Sequence, residues 1–180
     1  MAVFAGAANL VYNGDFELPA DSGWKRLAWG DFADTGNCRV RRTHAFYPDR
    51  DYELMLHKML HQGLQLTQRL PVSDLDLGFG LSARLTSKTE RESLFAAAAV
   101  CLEFLGAADS VLGETRIYSA TSGCDWRPGP ALHLIRAADS LSWHDYRLLV
   151  EDELDSLPAV CRDSVRALRV RVLAYVLGNC

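Results

Sequence analysis

Apolar and polar residues alternate over several separate stretches of the chain, and this period of two is the signature of half-buried β-strands. Leu64 to Leu70 (LQLTQRL) alternates in this way, and Phe79 to Ser87 repeats it, with Phe79, Leu81, Ala83 and Leu85 on one side. Over Val165 to Val176, Leu168, Val170 and Val172 point one way, and Arg169 and Arg171 point the other. Leu94 to Leu105 reads LFAAAAVCLEFL. Its alanines favour a helix on propensity alone, but Val100, Leu102 and Phe104 alternate against Cys101 and Glu103, so a central strand is expected. Gly113 to Thr121, Leu132 to Arg136 and Trp143 to Val150 are further expected strands, and Arg39 to Arg41 and Leu54 to Met59 fit as earlier ones. Helical patterning is strongest over Leu141 to Leu157 and stops at Pro158, which cannot continue a helix. Within it, Glu151 to Ser156 is expected to be a charged connection. Short strands at regular intervals with polar connections indicate an all-β fold, a two-sheet antiparallel β-sandwich or a barrel.

The chain has 180 residues, enough for one domain, and its 49% hydrophobic and 23% charged residues suit a globular one. At this length roughly 70% of the unfolded surface can be buried, so folding requires no metal or disulfide. A net charge of −4 and a pI near 5.7 make nucleic acid a poor partner. Arg39, Arg41 and Arg42 do cluster, but acidic segments offset them. No apolar run approaches the roughly 18 residues of a membrane span. Residues 1–8 (MAVFAGAA) are small and apolar, and Ala5-Gly6-Ala7 has the small-x-small form that precedes a signal-peptidase cut, although the charged leader is missing. They read as the remnant of an export signal or as a flexible N-terminus, with residues 9–180 as a single sandwich domain. Five cysteines are an odd number, so at least one is unpaired within the chain. None forms a C-x-x-C pattern, which argues against zinc; Cys101, in its apolar run, reads as a buried thiol. For an exported protein, Cys124 with Cys161 is the pair considered.

Candidate chemistry lies where aromatic and planar polar residues interleave. Sugar rings stack their C–H faces on aromatic rings, and their hydroxyls need partners such as Asp, Asn, Gln and Arg. Tyr47-Pro-Asp49-Arg50-Asp51-Tyr52 offers both kinds within six residues, Asp125-Trp126-Arg127 offers them again, and Trp29 and Phe46 sit in similar surroundings. The competing reading is that these rings cap the ends of the sandwich. Other chemistries are weakly supported. His57 and His61 have zinc-like spacing, but Lys58 stands where a metalloprotease carries Glu. Glu151, Glu153 and Asp155 would share one strand face, as paired carboxylates do in some glycosidases, but they fall in a connection. There is no G-x-S-x-G elbow, no glycine-rich phosphate loop, and no catalytic-cysteine signature at Cys161.

Asn9-Leu-Val-Tyr-Asn13-Gly14-Asp15-Phe16-Glu17, followed by Gly23-Trp24, resembles the opening of carbohydrate-binding modules with the galactose-binding-like jelly roll. Later segments are similar in order: a strand with Gln65 and Gln68, then Phe79-Gly-Leu81-Ser82, then Trp143-His-Asp-Tyr146, then a penultimate strand over Val165 to Tyr175. The resemblance spans nearly the whole chain. It implies a jelly-roll sandwich, core positions for Trp24 and Trp143, and a structural calcium with Glu17 as a ligand. It also implies a last strand with an acidic motif after the penultimate one; the sequence ends at Gly178-Asn179-Cys180 before any such motif, so it is expected either to be truncated or to be without that strand. The function it implies is non-catalytic carbohydrate binding within an exported glycan-processing protein, secreted, periplasmic or on the cell surface. The partner is then a poly- or oligosaccharide, with Trp29, Tyr47, Asp49, Arg50, Tyr52 and Trp126 as binding residues. A structural or protein-interaction sandwich of a cell-surface protein, and a jelly-roll glycoside hydrolase, are the alternatives.

Overall fold

A computed structural model of the chain describes residues 9–30, 38–44, 52–59, 62–89 and 94–177. The fold is an all-β sandwich. Its larger layer is a six-stranded sheet in the order β1-β4-β10-β6-β7-β8. These strands are β1 Lys25–Trp29, β4 Gln62–Pro71, β6 Phe95–Leu105, β7 Val111–Ala120, β8 Leu132–Arg136 and β10 Ala167–Leu177. Two antiparallel pairs form the other layer: β2 (Cys38–Thr43) with β3 (Glu53–Lys58), and β5 (Gly78–Ala83) with β9 (His144–Leu149). The inner face of the large sheet presents Leu66 and Leu70, Val100, Leu102 and Phe104, Ile117, and Leu168 and Val170. Leu54, Leu56, Phe79, Leu81 and Leu148 of the smaller pairs pack against them. Phe104, Leu102 and Ile117 are at most 1% exposed; at about 25 cal/mol per Å² of apolar area, this seam is the main source of stability.

The alternating stretches thus lie where expected, and the alanine-rich run is a strand in spite of its helix propensity. β6 is paired along its length by β10 on one side and β7 on the other, and that pairing overrides the local preference. Four features differ from the sequence reading. The sheet is mixed: β7 and β8 run parallel, from Glu114↔Leu132 to Tyr118↔Arg136, so the segment 121–131 must travel back along the sheet. β1 was not anticipated, because at this exposed edge Lys25, Arg26 and Leu27 show no alternation. β5 ends at Ala83, although Leu85 stays buried beyond it. Glu151 to Ser156 is largely the helix α1 (Val150–Asp155), which buries Val150, Glu153 and Leu154. On that helix Glu153 turns inward to accept hydrogen bonds from Thr115 (2.7 Å) and His133 Nδ1 (2.6 Å), while Glu151 and Asp155 pair outside with Arg162. Among the described residues no helix is long and apolar enough to cross a membrane.

The opening motif is a structural hub. Asn13 is 8% exposed and adopts a φ of 50°. Its side-chain amide donates to the carbonyls of Leu18, Pro19 and Ser22, and its Oδ1 accepts from the Leu18 N–H at 2.9 Å. The buried Trp24 donates its indole N–H to the Asn13 carbonyl, and Gln68, on the inner face of β4, bonds the backbone of Tyr12 and Gly23. Trp24 takes the expected core position; Trp143 is half-buried at the margin of the space between the layers.

Candidate functional site

The outer face of the large sheet carries chemistry that its register makes explicit. One row across the strands reads Trp29, Gly63, Tyr175, Ala97 and Ala120. The next reads Leu27, Gln65, Leu173, Ala99, Tyr118 and Arg136, and the next Lys25, Thr67, Arg171, Cys101, Arg116 and Leu134. Small residues of β6 form the floor, and rings from both sides close over them. Trp29 and Tyr175 have ring centroids 6.4 Å apart, Tyr175 and Phe95 5.3 Å, Phe95 and Trp126 5.6 Å, and Trp126 and Tyr118 5.6 Å. The rings therefore form one chain from the β1 edge to β7.

Two local devices place the outermost rings. Trp29 lies directly opposite Gly63, and a Cβ built on Gly63 would overlap the indole, so the ring rests on bare β4 backbone. Trp126 belongs to the returning segment 121–131. Thr121 anchors that segment by accepting from the Ala96 N–H at 3.0 Å and donating to the Leu94 carbonyl at 2.9 Å. A two-way backbone pairing of Gly129 with Leu132 anchors its other end. The parallel arrangement of β7 and β8 is what sends this segment back across the sheet.

Beside the rings runs a ladder of charges. Glu103, 2% exposed, pairs with Arg169 through one carboxylate oxygen and with Arg171 through the other, the latter at 2.9 Å. Glu114 pairs with Arg116 at 2.5 Å and with Arg171 at 2.8 Å. Burial alone would raise the Glu114 carboxyl, but the Arg116 hydrogen bond and the charges of Arg171 and Arg116 outweigh it and hold the group below its ordinary value. Beneath the ladder, burial and the Glu114 charge push the Cys101 thiol far up, so it stays protonated. The Arg116 guanidinium also stacks on Trp126, 4.0 Å from the ring centroid. Rings and ladder meet in a cleft of about 500 Å³ lined by Trp29, Phe95, Trp126 and Tyr175 with Arg116, Arg171 and Asp125. A larger space of about 1030 Å³ lies between the layers. Ala96, Ala98, Ala174, Leu54, Leu56 and Phe79 give it an apolar part, and His57, Lys58, Ser82, Arg84 and Thr86 a polar one; among the described residues it has no chain of neighbouring rings like that of the outer face.

Of the residues singled out from sequence, the structure brings Trp29 and Trp126 together. Tyr52 lies on the other layer, just before β3, under the Arg42 guanidinium at 3.4 Å and edge-on to His44. Tyr47, Asp49 and Arg50 lie outside the described residues. Glu17 is exposed and 3.8 Å from Arg42, which also donates to the carbonyls of Phe16 and Glu17 at 2.5 Å each. The oxygens gathered there already surround a guanidinium, a poor fit for calcium; among the described residues there is no group of three or more His, Cys, Asp or Glu arranged to hold a metal ion. Cys124 and Cys161 are both free thiols, so the pair considered from sequence is not formed. Tyr175, Arg171, Glu114 and Arg116 were not recognised as site residues. Their signal was present in the outward-facing sets Arg169-x-Arg171-x-Leu173-x-Tyr175 and Glu114-x-Arg116-x-Tyr118, each a polar pair ending in a ring. The chain matches no protein-family model and no curated protein.

Proposed function

We propose that this domain binds carbohydrate without transforming it, through the outer face of its six-stranded sheet. The observation that carries this reading is the cleft in which Trp29, Tyr175 and Trp126 stand beside Arg116, Arg171 and Asp125. Half-buried rings offer stacking surfaces to the C–H faces of sugars, and guanidinium and carboxylate groups offer planar hydrogen bonds to their hydroxyls. The ladder holds the guanidiniums in place before a ligand arrives, which lowers the ordering cost of binding. The galactose-binding-like resemblance of the opening motif points to the same class of ligand. A glycan array probed with the purified domain tests the reading. Binding to defined glycans that falls in Trp126→Ala and Tyr175→Ala, and persists in Tyr52→Ala on the other layer, is expected. Absence of any glycan binding, or binding indifferent to both ring variants, overturns it.

A further inference from the structure

The charge distribution over the same face narrows the ligand class. The protein as a whole carries a net charge of −4. Its outer sheet face runs against that sign. Lys25, Arg69, Arg169, Arg171, Arg116 and Arg136 all occupy outward register positions, whereas Glu103 and Glu114 are the carboxylates of that face on the strands. Both carboxylates are buried, at 2% and 8% exposure, and all four of their oxygens are engaged by arginines of the ladder. Among loop residues Asp109 is paired with Arg69, and Asp125 lines the cleft. The ladder begins and ends on arginine, so it holds three guanidiniums against two carboxylates. Arg116 gives its charged contact to Glu114 through Nε alone, and a guanidinium has four further N–H donors on its terminal nitrogens. Trp126 packs against this group, so a ligand stacked on that ring lies within reach of a cation.

We propose, building on the carbohydrate reading, that the ligand of this cleft is an anionic glycan, whose carboxylate or sulfate groups are held by Arg116 and Arg171 while its rings stack on Trp126 and Tyr175. Guanidinium groups bind planar carboxylates and sulfate oxygens through paired hydrogen bonds, and a charged acceptor strengthens each bond. A neutral sugar would leave that part of the interaction unused.

The test uses two matched pairs of probes with the full chain: oligogalacturonate against its methyl ester, and dextran sulfate against dextran, titrated by calorimetry. The charged member of at least one pair should bind at least about tenfold more tightly than its neutral counterpart. The uronate pair reports a carboxylate source, the sulfate pair a sulfate source. Binding should weaken between about 50 and 500 mM salt as charges are screened. Arg116→Gln should lose about tenfold, and Arg116→Lys should recover part of it; Lys25→Gln, at the exposed edge of the same face, gives a milder loss in a variant that leaves the ladder untouched. Trp126→Ala must also lose binding, since retention there would mean a non-specific attraction and overturn the proposal. Equal binding of charged and neutral members overturns it and leaves the carbohydrate reading standing. No binding to the charged probes, with a neutral glycan bound on the array, does the same. No binding to any glycan overturns both.

Discussion

Replacing Asn13 by alanine should unfold the opening of the domain first. The side chain donates to three carbonyls and accepts from the Leu18 N–H, all within a turn that is 8% exposed at Asn13 itself. Two of those bonds, to Pro19 at 3.0 Å and from Leu18 at 2.9 Å, have good lengths, and each is worth about 1 kcal/mol. The abandoned Leu18 N–H adds a desolvation cost of similar size. A β-carbon without a compensating local hydrogen bond is also strained at the φ of 50° that Asn13 adopts, by about 1 kcal/mol. The sum is about 3–4 kcal/mol, a large share of the 5–15 kcal/mol typical of a whole domain. In a chain of this size that corresponds to a fall in Tm of roughly 6–16 °C. Urea unfolding followed by tryptophan fluorescence measures it directly, since Trp24 hangs from the same turn. Asn13→Gly removes the side chain but tolerates positive φ, so it should regain about 1 kcal/mol relative to Asn13→Ala. A loss below about 1 kcal/mol in Asn13→Ala, or no difference between the two variants, would refute the hub.

Other expected outcomes follow from the outer face. Gly63→Ala should displace the Trp29 indole and weaken glycan binding several-fold at a stability cost of about 1–3 kcal/mol; unchanged binding would show that Trp29 lies outside the site. Trp126→Ala should weaken binding roughly 5- to 30-fold, the value of one stacking ring, and lower stability modestly because its contacts with Phe95 and Tyr118 are lost. Glu103→Ala should cost about 1–3 kcal/mol in denaturant titration, since it leaves the partly exposed Arg169 without its ladder carboxylate while Arg171 keeps Glu114; a cost under about 0.5 kcal/mol, the scale of a surface substitution, would mean that the ladder relaxes freely. The Glu114 carboxyl titrates lower folded than unfolded, so its stabilisation is present above its ordinary value of 4.5 and is lost as pH falls through the folded value. The Tm advantage of the wild type over Glu114→Gln should therefore shrink in scans from pH 7 towards pH 3. A chelator should leave Tm unchanged, because Arg42 already fills the oxygen cluster near Glu17.

Inner faces were easier to read from sequence than what lies outside them. Leu168, Val170 and Val172 declare their side by alternation alone, and Val100, Leu102 and Phe104 do so despite the preceding alanines. The function of those alanines was hidden, because it depends on Tyr175 and Trp126 covering Ala97 and Ala99 from elements far along the chain. The ladder was hidden for the same reason: Glu103, Glu114 and Arg171 lie on three strands, and only the register makes them neighbours. Trp126 could be singled out by its polar neighbours Asp125 and Arg127, yet its partner in the structure is Arg116, ten residues earlier. Tyr52 shared that local signature and lies on the opposite layer, which shows that interleaved aromatic and charged residues mark exposure more reliably than they mark one site. β1 and α1 escaped because one is an edge strand with no buried face to impose a period and the other is a helix of six residues.

The strand that completes the large sheet is the last of the described strands to be synthesised. β10 lies between β4 and β6, which it joins along ten and eleven paired positions, and β4 precedes it by about a hundred residues. Until β10 emerges from the ribosome, β4 and β6 have no partner on their facing edges; β6 is almost wholly apolar, and β4 carries Leu64, Leu66 and Leu70 on its inner face. Such edges are templates for pairing with other chains. The β1–β4 pair and the β6–β7–β8 group can form earlier, but they stay unjoined, with the facing edges of β4 and β6 open, until one late insertion closes the sheet. Folding should be slow, because the pairing that ends it closes a long loop. Yield in a cell should depend more on chaperones acting during synthesis than on the stability of the finished domain.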